Sequence, residues 1–169
     1  MMNIIQAKIK VRAAQDKDTN NLVDLRSMLL DGKHNTSYTS RNIHESNIWK
    51  KSYIKWINEQ HGSNGNIKIF VAECEGMLAG CATGIIDNRP PAPDCINGMC
   101  GWVQSVVVLP QWRRQGVALC IMKNLLSWFE EKTVSKVVLE STYEAEGLYE
   151  KLGFTVSPEN IFIYEGNRL

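Results

Sequence analysis

Three β-branched residues, Val106, Val107 and Val108, run into Leu109 and Pro110, and after a short polar turn Gly116 opens a stretch of helical spacing. Its apolar positions are Val117, Ile121, Leu125 and Phe129, flanked by Ala118, Met122 and Leu126. A β-branched run followed at once by helical spacing marks a strand that leads directly into a helix. The residues between them, Gln111-Trp112-Arg113-Arg114-Gln115, are polar and doubly basic. The first amides of a helix have no intrahelical acceptor, and the peptide dipoles place partial positive charge there. Gly116 has no side chain to block close approach, and Arg113 and Arg114 add fixed charge. A strand, a basic turn and a helix start in this order can hold a phosphate group.

The rest of the chain supplies partners for that unit. Ile9–Ala14 reads as an opening strand, and Asp16 to Asp18 offer capping chemistry for a helix carrying Leu22, Leu25, Met28 and Leu29. Residues 31–40 are polar and turn-rich, a loop. A second helix fits Ile43–Gln60, ended by the Gly-Ser-Asn-Gly run at 62–65. Ile67–Cys74 and Met77–Ile86 read as strands joined through Glu75-Gly76, a hairpin signal. The 87–94 stretch holds three of the five prolines and reads as a loop. Then come a strand over Gly101–Leu109, a helix over Gly116–Lys132, a strand over Lys136–Ser141 and a short helix over Glu144–Leu152. Phe154–Val156 and Phe162–Tyr164 complete the expected strands. The expectation is an α/β fold, a mixed and mostly antiparallel sheet of about seven strands flanked by about four helices.

Composition narrows the function. At 169 residues the chain, 1–169, suits a single domain. Nineteen basic and eighteen acidic residues leave a formal charge of +1, which argues against a broad nucleic-acid footprint. No apolar run has the length of a membrane span, and the Met-Met-Asn-Ile-Ile-Gln-Ala-Lys start is too short and polar for a signal peptide. Five cysteines, an odd number without CxxC spacing, fit a reduced cytoplasmic compartment. Cys95 and Cys100 flank a Gly-containing loop and can be read as a redox or metal pair, but no nearby histidine or further cysteine completes a zinc set. No metal is expected.

Two motifs in order carry a resemblance. Arg113-x-x-Gly116-x-Ala118, after the valine strand, resembles the acyl-CoA signature Arg/Gln-x-x-Gly-x-Gly/Ala of the GNAT superfamily of N-acyltransferases. About thirty residues on, Ala145-Glu-Gly-Leu148-Tyr149-Glu-Lys-Leu152-Gly153-Phe154 resembles the family's second signature, A-x-x-L-Y-x-K-L-G-F. The resemblance implies the GNAT fold, with the sheet splayed at its centre between the fourth and fifth strands. It implies acetyl-CoA as co-substrate in that gap, its pyrophosphate on the amides of Arg114, Gln115, Gly116, Val117, Ala118 and Leu119, with Arg113 or Arg114 facing the phosphates. The backbone of Val106, Val107 and Val108 would then pair with the pantetheine arm, one amide serving the developing oxyanion. Tyr149 matches the tyrosine that protonates the departing thiolate, a transfer that a phenol with pKa near 10 can make without being ionised at neutral pH. Thr142 stands where the family often carries an asparagine that touches the cofactor.

The remaining chemistry is read from the residues themselves. Glu140, near the end of its strand, is the first candidate for general base toward the amine, with a solvated strand-end charge as its other reading. Gln104 can position water. His34 and His44 fall in the N-terminal region that in the family borders the acceptor pocket. Tyr38, Trp49, Trp56, Trp102 and Tyr164 are aromatic candidates for lining that pocket, the two helical tryptophans also serving as core, and Asp87 and Asp94 are candidates to hold a cationic amine. No Ser-His-Asp or Cys-His arrangement is evident, which favours direct transfer in a ternary complex. The expected activity is acetyl transfer to a primary amine of a small molecule by a monomer or homodimer, without nucleic acid or membrane. A catalytically silent acyl-CoA sensor or scaffold and a protein N-terminal or lysine acetyltransferase are the alternatives. A P-loop enzyme is disfavoured because the Gly-Lys-Ser/Thr ending is missing.

Overall fold

The β-branched runs at 67–74 and 99–108 flank the central strand of a five-stranded sheet, in the order β1 (Lys10–Ala13), β2 (Ile67–Cys74), β3 (Met77–Asn88), β4 (Met99–Val108) and β5 (Lys136–Leu139). This is a computed structural model, which describes residues 8–32, 38–60 and 65–166. Strands β1 to β4 are antiparallel neighbours and β5 runs parallel to β4. A parallel pair needs a crossover. Here it is α3 (Val117–Glu131), reached through one 3₁₀ turn at Pro110–Trp112. The other helices are α1 (Thr19–Leu30), α2 (Ile43–Gln60) and α4 (Glu146–Lys151).

Alternation along the strands divides the apolar residues between two layers of helix. On one face Ala72, Ala82, Ile86 and Val103 meet Ile121, Met122, Leu125 and Phe129 of α3. On the other, Val71, Cys81 and Val107 meet Leu22 and Leu25 of α1 and Tyr53 and Ile57 of α2. Helix α3 packs its side chains directly over two glycines of the sheet, which leave a bare strip beneath it. A Cβ at Gly84 would come within 2.6 Å of Leu125 Cδ1 and 2.8 Å of the Trp128 ring, and one at Gly101 within 2.8 Å of Phe129 Cε1. That seating fixes the height of the α3 N-terminus above the end of β4.

Asp18 precedes α1, yet its carboxylate does not cap the helix. It takes Arg12 Nη1 at 2.6 Å and the Gln15 amide at 2.8 Å, while Arg12 Nη2 reaches Glu73 Oε1 at 2.6 Å. One guanidinium thus ties β1, β2 and the start of α1 together. Its hydrogen bond holds the Asp18 carboxyl below the ordinary range, against the opposing effect of burial.

Among the described residues the sheet has five strands where about seven were expected. Phe154–Val156 and Phe162–Tyr164 form no strand. The Phe154 amide turns back to the Tyr149 carbonyl at 3.0 Å, and the Glu159 amide is held by Ser157 Oγ at 3.1 Å beside Pro158. The ladder therefore does not propagate beyond β5, and Phe162 and Tyr164 are 92% and 96% exposed. With those strands absent, the gap beside β4 lies next to an edge strand instead of at the centre of the sheet.

Candidate active site

Strands β4 and β5 pair only from Cys100↔Lys136 to Val103↔Leu139. Beyond that point β4 continues through Val108 with β3 on one side and, among the described residues, no strand on the other. A bulge begins the divergence: Cys81 faces Val107 and Thr83 faces Gln104, so Ser105 and Val106 together oppose Ala82. Ser105 accordingly takes a positive φ of 54°. Bulges of this kind re-aim side chains and end pairing. Val107 is buried and Val106 and Val108 are half-buried, so their side chains build core while no β5 residue pairs with their backbone.

The strand end leads into the basic turn. Arg113 Nε donates to the Val108 carbonyl at 3.0 Å, and Gln115 Nε2 donates to the Gln111 carbonyl at 2.8 Å. Arg114 and Gly116 both have positive φ, 62° and 85°, and this alternation curls successive N–H groups into a concavity suited to an anion. The Cys120 amide closes the first helical bond on Gly116, whereas the amides of residues 114 to 119 donate to no described residue. An added Cβ at Gly116 would meet nothing within 4 Å, so the cradle is open. Arg113 and Arg114 are exposed at its rim.

Two clefts share Gln104, the β4 residue just past the last pair with β5. The first, of about 410 Å³, has walls of Trp49, Tyr53, Trp56, Leu30 and Ile85, with Arg26, Ser52, Thr83 and Gln104. The second, of about 270 Å³, shares Arg26, Leu30 and Gln104 and adds Glu140, Ser105, Trp102 and Tyr38. Trp49 is set in place by its indole N–H on Asp31 at 2.9 Å, and Asp31 also accepts from Ser40, Ser46 and Lys50. Burial raises the Asp31 carboxyl, but these donors outweigh it and hold it far below the ordinary range.

Of the residues singled out in the sequence, the structure brings Gln104, Glu140, Trp102, Tyr38, Trp49 and Trp56 to these clefts. Thr142 is exposed, just ahead of the turn into α4, and lines neither cleft. Tyr149 also stands outside both. Its ring packs edge-on to Phe154 at 5.9 Å, and no described residue hydrogen-bonds its hydroxyl. Burial pushes its phenol up. Asp87 and Asp94 do not serve the clefts: Asp87 lies 3.8 Å from Arg89, and Asp94 is paired with Lys136. Tyr164 projects into solvent, His44 is exposed, and His34 falls outside the described residues. All five cysteines are free. Among the described residues no cluster is placed to hold a metal ion, and no helix is long and apolar enough to cross a membrane.

Arg26 was missed. It sits one turn after Leu22 on the stripe of α1 that packs on the sheet, and a lone charge in an apolar stripe was the available signal.

A family model described as an acetyltransferase (GNAT) domain matches residues 65–156. The chain belongs to the GNAT acetyltransferases. Solved structures extend the likeness of this GNAT chain beyond the matched stretch. A GCN5-related N-acetyltransferase from Ralstonia eutropha superposes with a TM-score of 0.76 at 17% identity, over 94% of this chain and 100% of the other. A predicted acetyltransferase from Clostridium acetobutylicum, crystallised with acetyl-CoA, gives 0.75 at 20% identity, over 93% and 96%. Glucosamine-6-phosphate N-acetyltransferase from Arabidopsis thaliana gives 0.72 at 19%, over 93% and 98%. At these identities the superpositions establish the fold. For a GNAT chain, the β4 edge that β5 leaves unpaired and the amide cradle are the two features a long, amide-bearing phosphate ester requires, and they are contiguous here.

Proposed function

We propose that this chain transfers an acetyl group from acetyl-CoA to the primary amine of a small molecule, both bound at once. The observation that carries the reading is the row of unengaged amides at 114–119 beside the Val106–Val108 edge that β5 leaves unpaired, where Arg113 takes the Val108 carbonyl. The cradle suits a diphosphate, with Arg113 and Arg114 at its rim, and the strand edge suits the amides of a pantetheine arm. Crystals of the Clostridium relative with acetyl-CoA support the same donor.

Bound acetyl-CoA supplies an activated thioester, so that a C–N bond replaces a C–S bond, the amine loses one proton and the departing sulfur gains one. Glu140, beside Gln104 and Ser105 in the second cleft, accepts the amine's proton, directly or through water held by Gln104. A backbone amide of the divergent β4 segment stabilises the negative charge that develops on the carbonyl oxygen. Tyr149, kept protonated by burial, donates to the sulfur. Thr142, two residues beyond Glu140, contributes a hydroxyl at the same margin.

Calorimetry with coenzyme A and thiol release across a panel of amines test this reading. Binding with amine-dependent thiol release is expected, and Tyr149→Phe should lower kcat by about 10²-fold while coenzyme A still binds. Absence of coenzyme A binding to the folded protein overturns the reading. Binding without release by any amine leaves a sensor.

A further inference from the structure

The clefts carry information on the acceptor that the donor side does not. Arg26 is half-buried on α1, with its guanidinium 4.8 Å from the centre of the Tyr53 ring. Its Nη1 donates to Ser105 Oγ at the β4 bulge. Among the described residues no carboxylate lies within ion-pair distance of it, in contrast to Arg12, Arg41, Arg89, Lys50 and Lys136. A guanidinium stacked on an aromatic face and anchored through one nitrogen keeps a fork of donors for a planar anion. Partial desolvation strengthens that attraction relative to an exposed arginine.

The surroundings define the remainder of the ligand. Among the described residues Arg26 is the only charged side chain lining the first cleft, whose walls are Trp49, Tyr53, Trp56, Leu30 and Ile85. Its 410 Å³ lies near the lower end of the range for small-molecule sites, about 300–1,000 Å³. The second cleft shares Arg26 and adds one carboxylate, Glu140. A positive and a negative group at one opening complement a molecule with an adjacent carboxylate and amine. The aromatic walls complement an apolar body.

We infer that the acceptor is a primary amine bearing its own carboxylate on an apolar, aromatic-sized body, the chemistry of an apolar amino acid, and that Arg26 binds the carboxylate. This rests on the acetyl-transfer reading of the same site. In this arrangement Arg26 sets specificity, Glu140 faces the amine, and Trp49 and Trp56 hold the apolar body.

The test compares phenylalanine, phenylalaninamide, phenethylamine and glucosamine-6-phosphate as acceptors with acetyl-CoA. Phenylalanine should exceed both carboxylate-free amines in kcat/KM by at least about tenfold. Arg26→Gln should bring that ratio to within about threefold of unity, and Arg26→Lys should restore part of it. Because the ratio is taken within each variant, loss of folded protein cancels. Equal use of phenethylamine, preference for glucosamine-6-phosphate, or an unchanged ratio in Arg26→Gln overturns the inference. Phenylalanine titrated calorimetrically into the protein, with and without coenzyme A, separates the two failures. Phenylalanine binding that Arg26→Gln abolishes, without transfer to any amine, overturns the acetyl-transfer reading and keeps Arg26 as the residue that binds the carboxylate, and no binding of phenylalanine overturns the inference.

Discussion

Replacing Gly101 by alanine tests how α3 is seated. The new methyl would lie 2.8 Å from Cε1 of Phe129 and 3.0 Å from Cδ1 and Cζ. Carbon atoms in good contact sit about 3.5–4.0 Å apart, so the ring must move by roughly 0.5–1 Å. It has little room: Phe129 is 1% exposed, and the Trp128 ring centre is 4.9 Å away. Overpacking of this kind costs about 1–3 kcal/mol. Alanine regains roughly 0.5–1 kcal/mol over glycine in a strand, which leaves a net loss of about 0–2.5 kcal/mol. In a Phe129→Leu background the obstructing ring edge is gone, and the same substitution should be neutral or stabilising by up to about 1 kcal/mol. Urea unfolding of the four proteins at 25 °C, with m-values checked for constancy, measures the coupling. Additivity to within about 0.5 kcal/mol would refute the reasoning, since the ring would then not be the obstacle.

Acidification should act through Asp18. Its folded-state pKa is depressed by Arg12, so its stabilisation is full above the unfolded value of about 3.9 and is lost as pH falls through the folded value. Asp18→Asn should destabilise by about 1–3 kcal/mol at pH 7, since Arg12 keeps Glu73, and the gap to the parent should narrow from pH 5 to pH 2 in urea titrations. At Gly116, where φ is 85° and an added Cβ meets no atom within 4 Å, the penalty is conformational. Stability and coenzyme A affinity, followed by thermal melts and calorimetry, should fall in the order Gly, Asn, Val, with valine losing at least about 1–2 kcal/mol.

The legible parts of this chain were those in which local chemistry and long-range packing agree. The Val106–Ala118 unit is strand, turn and helix because its valines, Pro110, Gly116 and the apolar helix positions favour their places, and α2 runs over Ile43–Gln60 as its aromatic spacing implies. The tail was misread because Phe154–Val156 and Phe162–Tyr164 have strand-forming side chains, but a ladder depends on a neighbouring edge that composition does not report. Asp87 and Asp94 were candidates for an incoming amine, and the partner of Asp94, Lys136, comes into reach only through the fold, while Asp87 lies 3.8 Å from nearby Arg89. Arg26 escaped notice because the bulge at Ser105 that receives it lies 79 residues away.

Arg113 has a mechanical consequence. Its bond to the Val108 carbonyl latches the amide cradle to the terminus of β4, while α3, continuous with the cradle, is wedged on the glycine strip. Strand tip, turn and helix therefore travel as one body. Widening of the opening beside β4 must come from movement of β5 and the segment after it, whose ladder to β4 spans only four residue pairs.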